Sequence, residues 1–148
     1  MYNSRLLACL TVAIAPALFG PASSALAADE TFAPVAVISL PGNQKIQSFD
    51  ISFVDPVIGI YVLGDRTNFA VDVIDTTTNK VLTQLTAGFI GANGGNNDGA
   101  GPDGVLIVGH HEVWAGDGNS TVKVIDLFSQ HLTHTISTVG VNLSLIHI

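Results

Sequence analysis

The sequence has one cysteine, at position 9. A lone cysteine excludes an intramolecular disulfide framework and any cysteine-rich zinc site. Charge is scarce as well. Only 11% of the 148 residues are charged, and 12 acids stand against 5 bases. A net charge of −7 excludes a protein that lives on phosphate neutralisation, so no nucleic-acid partner is expected. After residue 27 no 3.6-residue apolar periodicity lasts beyond a couple of turns, which excludes helical repeats. There is no Gly-x-Ser-x-Gly element and no nucleophilic constellation. Apolar residues are not lacking. At 47% of the chain they exclude intrinsic disorder, which needs low hydrophobicity and high charge. Fifteen glycines point to many tight turns, and the length suits one modest domain.

The first 27 residues read as a secretory signal peptide. Arg5 supplies the positive start, and residues 6–19 are the apolar stretch. A transmembrane helix needs roughly 18–20 apolar residues, so this stretch is too short to span a membrane. Gly20, Pro21, Ser23 and Ser24 break it, and Ala25-Leu26-Ala27 is a small-x-small cleavage site. Leu6-Leu7-Ala8-Cys9 has a trace of a lipoprotein signal, but the apolar run continues behind it. The competing reading is a buried N-terminal helix. The mature chain is expected to start at Ala28, to carry no cysteine and to have a charge of −8. The expected location is secreted or periplasmic, with no integral membrane segment after cleavage.

The remainder repeats itself. Tyr61-Val62-Leu63-Gly64-Asp65 leads to Val71-Asp72-Val73-Ile74-Asp75. Val113-Trp114-Ala115-Gly116-Asp117 leads to Val122-Lys123-Val124-Ile125-Asp126. The offset is 52 residues at Gly64/Gly116 and 51 at Asp75/Asp126, so one turn has a small indel. A period near 50 marks a repeat architecture. Each repeat holds four short runs rich in Val, Ile and Thr, punctuated by Gly, Asn and Asp. They fall at 51–54, 60–63, 70–74 and 81–85, then at 105–108, 113–115, 121–125 and 132–136. Four short antiparallel strands per repeat make a β-propeller blade.

These motifs resemble the YVTN-type propeller repeat, and also the related NHL and regucalcin/gluconolactonase-like propellers. The resemblance covers roughly residues 46–136 and implies an all-β fold. Propellers have four to eight blades, about 300 residues for this repeat type. The expectation is therefore an incomplete β-propeller: two four-stranded blades plus an N-terminal closing strand at 35–40. The expected organisation is a signal peptide at 1–27, a strand and linker at 28–45, blade 1 at 46–90, a Gly/Asn-rich loop at 91–103, blade 2 at 104–140 and an atypical tail at 141–148. That tail, Leu143-Ser144-Leu145-Ile146-His147-Ile148, has no counterpart in the first repeat. It resembles sequencing-adapter read-through, and the expectation is a C-terminally truncated fragment.

Propellers usually bind ligands at the ring centre, beside each innermost strand. Asp50 and Asp103 precede those strands. Pro102-Asp103-Gly104-Val105 resembles the element of lactonase-like propellers whose Asp or Asn ligates a divalent metal. The resemblance implies Asp103 as a ligand and Asp50 as its counterpart. Calcium wants several oxygen ligands, which converging carboxylates from several blades would supply. The alternative is that Asp before Gly is a turn residue. The loop that includes Asn96, Asn97 and Asp98 is a second candidate, either touching a ligand or binding calcium, or else a flexible link between the blades. It has neither the EF-hand pattern nor a following helix that would make it a nucleotide loop.

Asp65 and Asp117, each after Gly64 or Gly116, recur at one repeat position and are read as structural turn residues. Asp72 and Lys123 occupy another shared position with opposite charge, so no specific charge is expected to be needed there. His110 and His111 fall at a hairpin turn and are read as solvated. His131 and His134 are read as surface or inter-blade residues. Tyr61, Trp114, Phe53 and Phe69 are expected to pack between blades.

Three function classes follow. The first is an exported binding or scaffolding module for an unknown protein or small-molecule ligand. The second is a metal-dependent lactonase-like hydrolase, with the metal polarising an ester carbonyl or activating water. The third is a structural cell-surface or matrix protein.

Overall fold

The structure, a computed structural model, describes residues 33–138. The cleavage residues Ala25 and Ala27, Cys9 and the terminal tail lie outside them. From Pro34 onward the described residues belong to one compact unit.

That unit is all-β. Blade 1 comprises β1 (Phe49–Asp55), β2 (Ile60–Asp65), β3 (Ala70–Asp75) and β4 (Lys80–Leu85). Blade 2 comprises β5 (Val105–Val108), β6 (Glu112–Asp117), β7 (Thr121–Asp126) and β8 (Leu132–Ser137). Each is a four-stranded antiparallel sheet with strands in chain order. All eight runs expected from the sequence form strands.

One turn design recurs. Asp55, Asp65, Asp75, Asp117 and Asp126 each close a strand. The side-chain oxygen of each accepts backbone N–H groups of the turn that follows, as Asp75 does from Thr77 at 2.7 Å and Thr78 at 3.1 Å. An aspartate suits this place because its short carboxylate reaches the next few N–H groups. Each turn then ends on a residue in the left-handed region: Gly59, Phe69, Asn79, Ser120 and Gln130. The β5–β6 turn differs, using Gly109 and His110 with φ of 58° and 64°.

The core lies between the two sheets. Val62, Val71, Val73 and Leu85 of blade 1 pack with Val105, Ile107, Val113, Ala115 and Ile125 of blade 2, joined by Phe89 and Leu127. Strand alternation explains the selection. Val62 pairs with Val73, and Val113 with Ile125, so each pair shares one sheet face. The pairs Val73-Ile74 and Val124-Ile125 are buried throughout, as stacked blades require. Both blades carry a register shift at those positions.

Two expectations need correction. Residues 35–40 form no strand. They make no ladder with β1–β8, and Val35 and Val37 are more than 90% exposed. A strand exists only through its partner, and this segment has none among the described residues. It ends instead in a 3-10 turn at Pro41–Asn43. Of the aromatic residues expected between the blades, Phe53 shares the inward face of its partner Val62 and Phe69 lies against Gly91 of the connection, whereas Tyr61 and Trp114 take the opposite faces of their strands. Tyr61 and Trp114 are half-buried, while Phe53 and Phe69 are exposed. Tyr61 neighbours Val62, which takes the inward side of β2, so alternation sends the tyrosine to the other face.

Candidate functional site

One end of both sheets collects the polar residues singled out in the sequence. There β1 and β5 begin, and β2 and β6 end. The connection between the blades also crosses this end.

At its centre, Asp50 and Asp103 are brought together by a residue the sequence reading passed over. Arg66 Nη2 donates to Asp50 Oδ2 and to Asp103 Oδ1. Arg66 Nε donates to the Pro102 carbonyl at 3.3 Å. The guanidinium is buried, at 8% residue exposure. Burial pushes the Asp103 carboxyl up, and the Arg66 hydrogen bond and charge oppose that rise. Arginine suits this seat because its planar fork presents several donors and keeps its charge. The signal for Arg66 was present. It directly follows Asp65, where the second repeat has Gly118 after Asp117. A cation unique to one repeat beside a shared turn was the clue.

Gly64 makes this geometry possible. A Cβ there would lie 2.7 Å from the Asp103 carbonyl oxygen. Gly116 holds the same segment from blade 2: its carbonyl accepts from Asp103 N at 2.9 Å, and its N–H donates to Gly104 at 3.1 Å. The Pro102–Gly104 segment is thus wedged between the two blades.

The Gly/Asn-rich loop is built, not loose. Gly91 and Gly101 pair through two backbone hydrogen bonds of 2.7 and 3.0 Å, closing the loop at its neck. Inside lie two short 3-10 turns, Asn93–Gly95 and Asn97–Gly99. Asn93 Nδ2 donates to the Gly99 carbonyl at 2.9 Å. Asn96, Asn97 and Asp98 are all exposed at the tip. The backbone of Gly99 and Ala100 rests on Gly118, where a side chain would have no room.

The paired turn residues behave differently in the two blades. Asp65 Oδ1 accepts from Asn68 N at 3.0 Å, and its Oδ2 from Asn68 Nδ2 at 2.5 Å. Asp117 Oδ1 accepts from Gly118 N and from Ile90 N, both at 3.1 Å. Asp117 therefore ties the inter-blade connection to β6. Lys123 Nζ lies 3.9 Å from Asp117 Oδ2, and both groups are buried. Burial pushes the Asp117 carboxyl up. Asp72, the repeat counterpart of Lys123, is fully buried. Its Oδ1 accepts from Gln84 Nε2 at 2.8 Å, and burial pushes its pKa up to about 6.

The histidines lie toward the other end. His110 Nδ1 is 2.6 Å from Asp55 Oδ2, a link between the blades that its reading as a solvated turn did not include. His111 Nδ1 lies 2.8 Å from the Gly109 carbonyl. His131 and His134 are exposed. Among the described residues no three or more His, Cys, Asp or Glu side chains form a group fit for a metal ion. For the Asp50–Asp103 pair the fit is poor for another reason. The guanidinium occupies the position between the carboxylates that a cation would take.

Two four-stranded antiparallel sheets stacked face to face define the class as an all-β, propeller-like fold. The solved structure of apo AztD from Citrobacter koseri is similar to it. The likeness has a TM-score of 0.51 at 18% identity, over 68% of this chain and 25% of that one. The chain thus spans about a quarter of that protein's length. At this identity the likeness shows the fold alone. No protein-family model matches the chain, and no curated protein does. Among the described residues no helix is long and apolar enough to cross a membrane.

Proposed function

We propose that the chain is part of an exported binding module built from YVTN-type propeller repeats. The ligand seat is the end that carries Asp50, Arg66, Asp103 and the loop tip at 96–98. The observation behind this reading is the convergence of Asp50 of blade 1 and Asp103 of the inter-blade connection on one buried arginine, next to the closed neck of the loop. A rigid scaffold presenting exposed polar loop groups is a usual construction for binding. The solved neighbour is described as an apo form, which accords with a binding role for this fold. Export rests on the signal-like first 27 residues, and N-terminal sequencing of the exported protein should begin at Ala28.

A second reading, the metal-dependent lactonase-like hydrolase, draws on the approach of Asp50 to Asp103. It requires Arg66 to leave so that both carboxylates can reach an ion. In that reading Asp103 and Asp50 hold the ion, which would polarise an ester carbonyl or activate water.

Amide NMR during titration with calcium chloride, and separately with a small-molecule fragment library, tests both. Fragment-induced shifts clustered at residues 50, 66, 96–98 and 103 support the binding seat. Shifts confined to the opposite strand ends would sink it. Calcium-induced shifts at 50 and 103, with Arg66 released, would favour the hydrolase.

A further inference from the structure

The two blades solve one electrostatic problem in different ways. In blade 2, the buried Asp117 has Lys123 beside it. In blade 1, the same two repeat positions hold Asp65 and Asp72, both fully buried. Leu63 pairs with Asp72 across β2 and β3. Asp65 is two residues along β2 from Leu63, so both carboxyls project from one sheet face as diagonal neighbours. Burial first, and the neighbouring Asp65 carboxyl after it, push the Asp72 carboxyl up. Two ionised carboxylates so placed repel each other without water to screen them.

The surroundings do not supply the missing positive charge. Gln84 on β4 presents a neutral amide to Asp72. Asn68 presents another to Asp65. Arg66 is engaged by Asp50 and Asp103. Tyr61, on the same face of β2, is a phenol and can supply no positive charge. Asp72 Oδ2 is buried and accepts no hydrogen bond. A metal ion is disfavoured because N–H donors already hold both oxygens of Asp65 and one of Asp72. The smallest group that fits the orphan oxygen is a proton.

We propose that Asp65 and Asp72 form a buried acid pair that holds one proton between their carboxyls, and that release of this proton to solvent weakens blade 1 as pH rises. The proton sits on Asp72 and is donated to Asp65. Such sharing is the usual outcome when two carboxyls meet in a dry site. The folded pKa of Asp72, about 6, lies above its ordinary 3.8. The folded chain therefore binds more protons than the unfolded chain between these values. Stability from this group is full below pH 3.8 and is lost as pH rises to about 6. The low-lying Asp55, Asp75 and Asp126 act in the opposite sense and only below that window. Asp103 and Asp117 act in the same sense, so a variant is needed to isolate Asp72.

Infrared difference spectroscopy of the full chain, titrated from acid to neutral pH, reads the proton directly. The expected result is a protonated carboxylic-acid carbonyl band that survives well above pH 4 and disappears near 6. Asp72→Asn should abolish it, and Asp65→Asn should move its loss to lower pH by removing the like charge. Urea unfolding gives a second readout. The Asp72→Asn variant should lose up to about a hundredfold of the wild-type change in unfolding constant across the window. At pH 7 it should be at least as stable as wild type, because an asparagine amide can donate where the proton did. If carboxylic-acid bands vanish together near pH 4, the pair holds no proton and the proposal fails. An Asp72→Asn variant less stable than wild type at pH 7 would also overturn it. Should Asp72→Asn fail to fold, the infrared titration of Asp65→Asn decides, and a band lost at an unchanged pH would overturn the pairing.

Discussion

Asp50 of blade 1 and Asp103 of the inter-blade connection share one Arg66 guanidinium nitrogen. The two residues come from different repeats, 53 positions apart, yet they meet at one point. Removing one member of a buried charge cluster leaves the others uncompensated, which costs more than the cluster contributes when intact. Asp50 retains some exposure, at 24% of its side chain, so the penalty falls below that of a fully buried pair. Arg66→Ala should destabilise the chain by about 2–3 kcal/mol in urea unfolding. Adding Asp50→Asn and Asp103→Asn to that variant should recover part of the loss. An Arg66→Ala protein as stable as wild type would show that the cluster is not closed in solution. The same variant frees two converging carboxylates. It should bind calcium measurably by calorimetry where wild type does not.

The sequence made the blades legible because their period is short and local. Short runs rich in Val, Ile and Thr placed all eight strands, and the Gly, Asn and Asp between them placed the turns. The site was only partly legible. Asp50 and Asp103 stand out by position, but their partner Arg66 joins residues that only the stacking of two sheets makes neighbours. The Asp65–Asp72 pair was hidden for a similar reason. Charge variation at Asp72/Lys123 looked like indifference, whereas burial makes each charge consequential. The segment at 35–40 misled in the other direction. Its apolar residues carry strand character, but a strand requires a ladder, which residue type alone does not provide.

His110 and Asp55 give a pH prediction of opposite sign to that for Asp72. The hydrogen bond from His110 holds the Asp55 carboxyl below its usual range, aided by the Val57 and Ile58 N–H groups. A lowered folded pKa contributes stability above the ordinary value of 3.8, which is lost as pH falls through the folded value. His110→Ala removes the largest cause. Carboxyl-detected NMR should show the Asp55 midpoint moving upward, with the acid limb of the stability profile starting at higher pH. Unchanged midpoints would mean that the inter-blade contact is not made.

Gly64 is a steric prediction. A methyl group there would press on the Asp103 carbonyl oxygen, which is backbone and cannot swing aside. Gly64→Ala should destabilise by about 1–3 kcal/mol, as overpacking does. It should also displace the 102–104 segment and so disturb Arg66. Amide shifts at Asp103 and Gly104 would report this. A variant with wild-type stability and unshifted amides would contradict the close approach of β2 to that segment.

The last prediction concerns cooperativity between blades. Leu85 is almost fully buried and belongs to the cluster shared by both sheets. Leu85→Ala removes packing from blade 1 and leaves a cavity facing blade 2. Such truncations cost about 2–5 kcal/mol. Because the core is common property, amide exchange should accelerate in β6 and β7 as well as in β3 and β4. Phe128→Ala serves as the control, since Phe128 is 72% exposed and its loss should change stability by less than about 0.5 kcal/mol. If Leu85→Ala speeds exchange in blade 1 alone, the sheets are independent units. The Asp50–Arg66–Asp103 bridge would then join two separately folding pieces rather than crown one core.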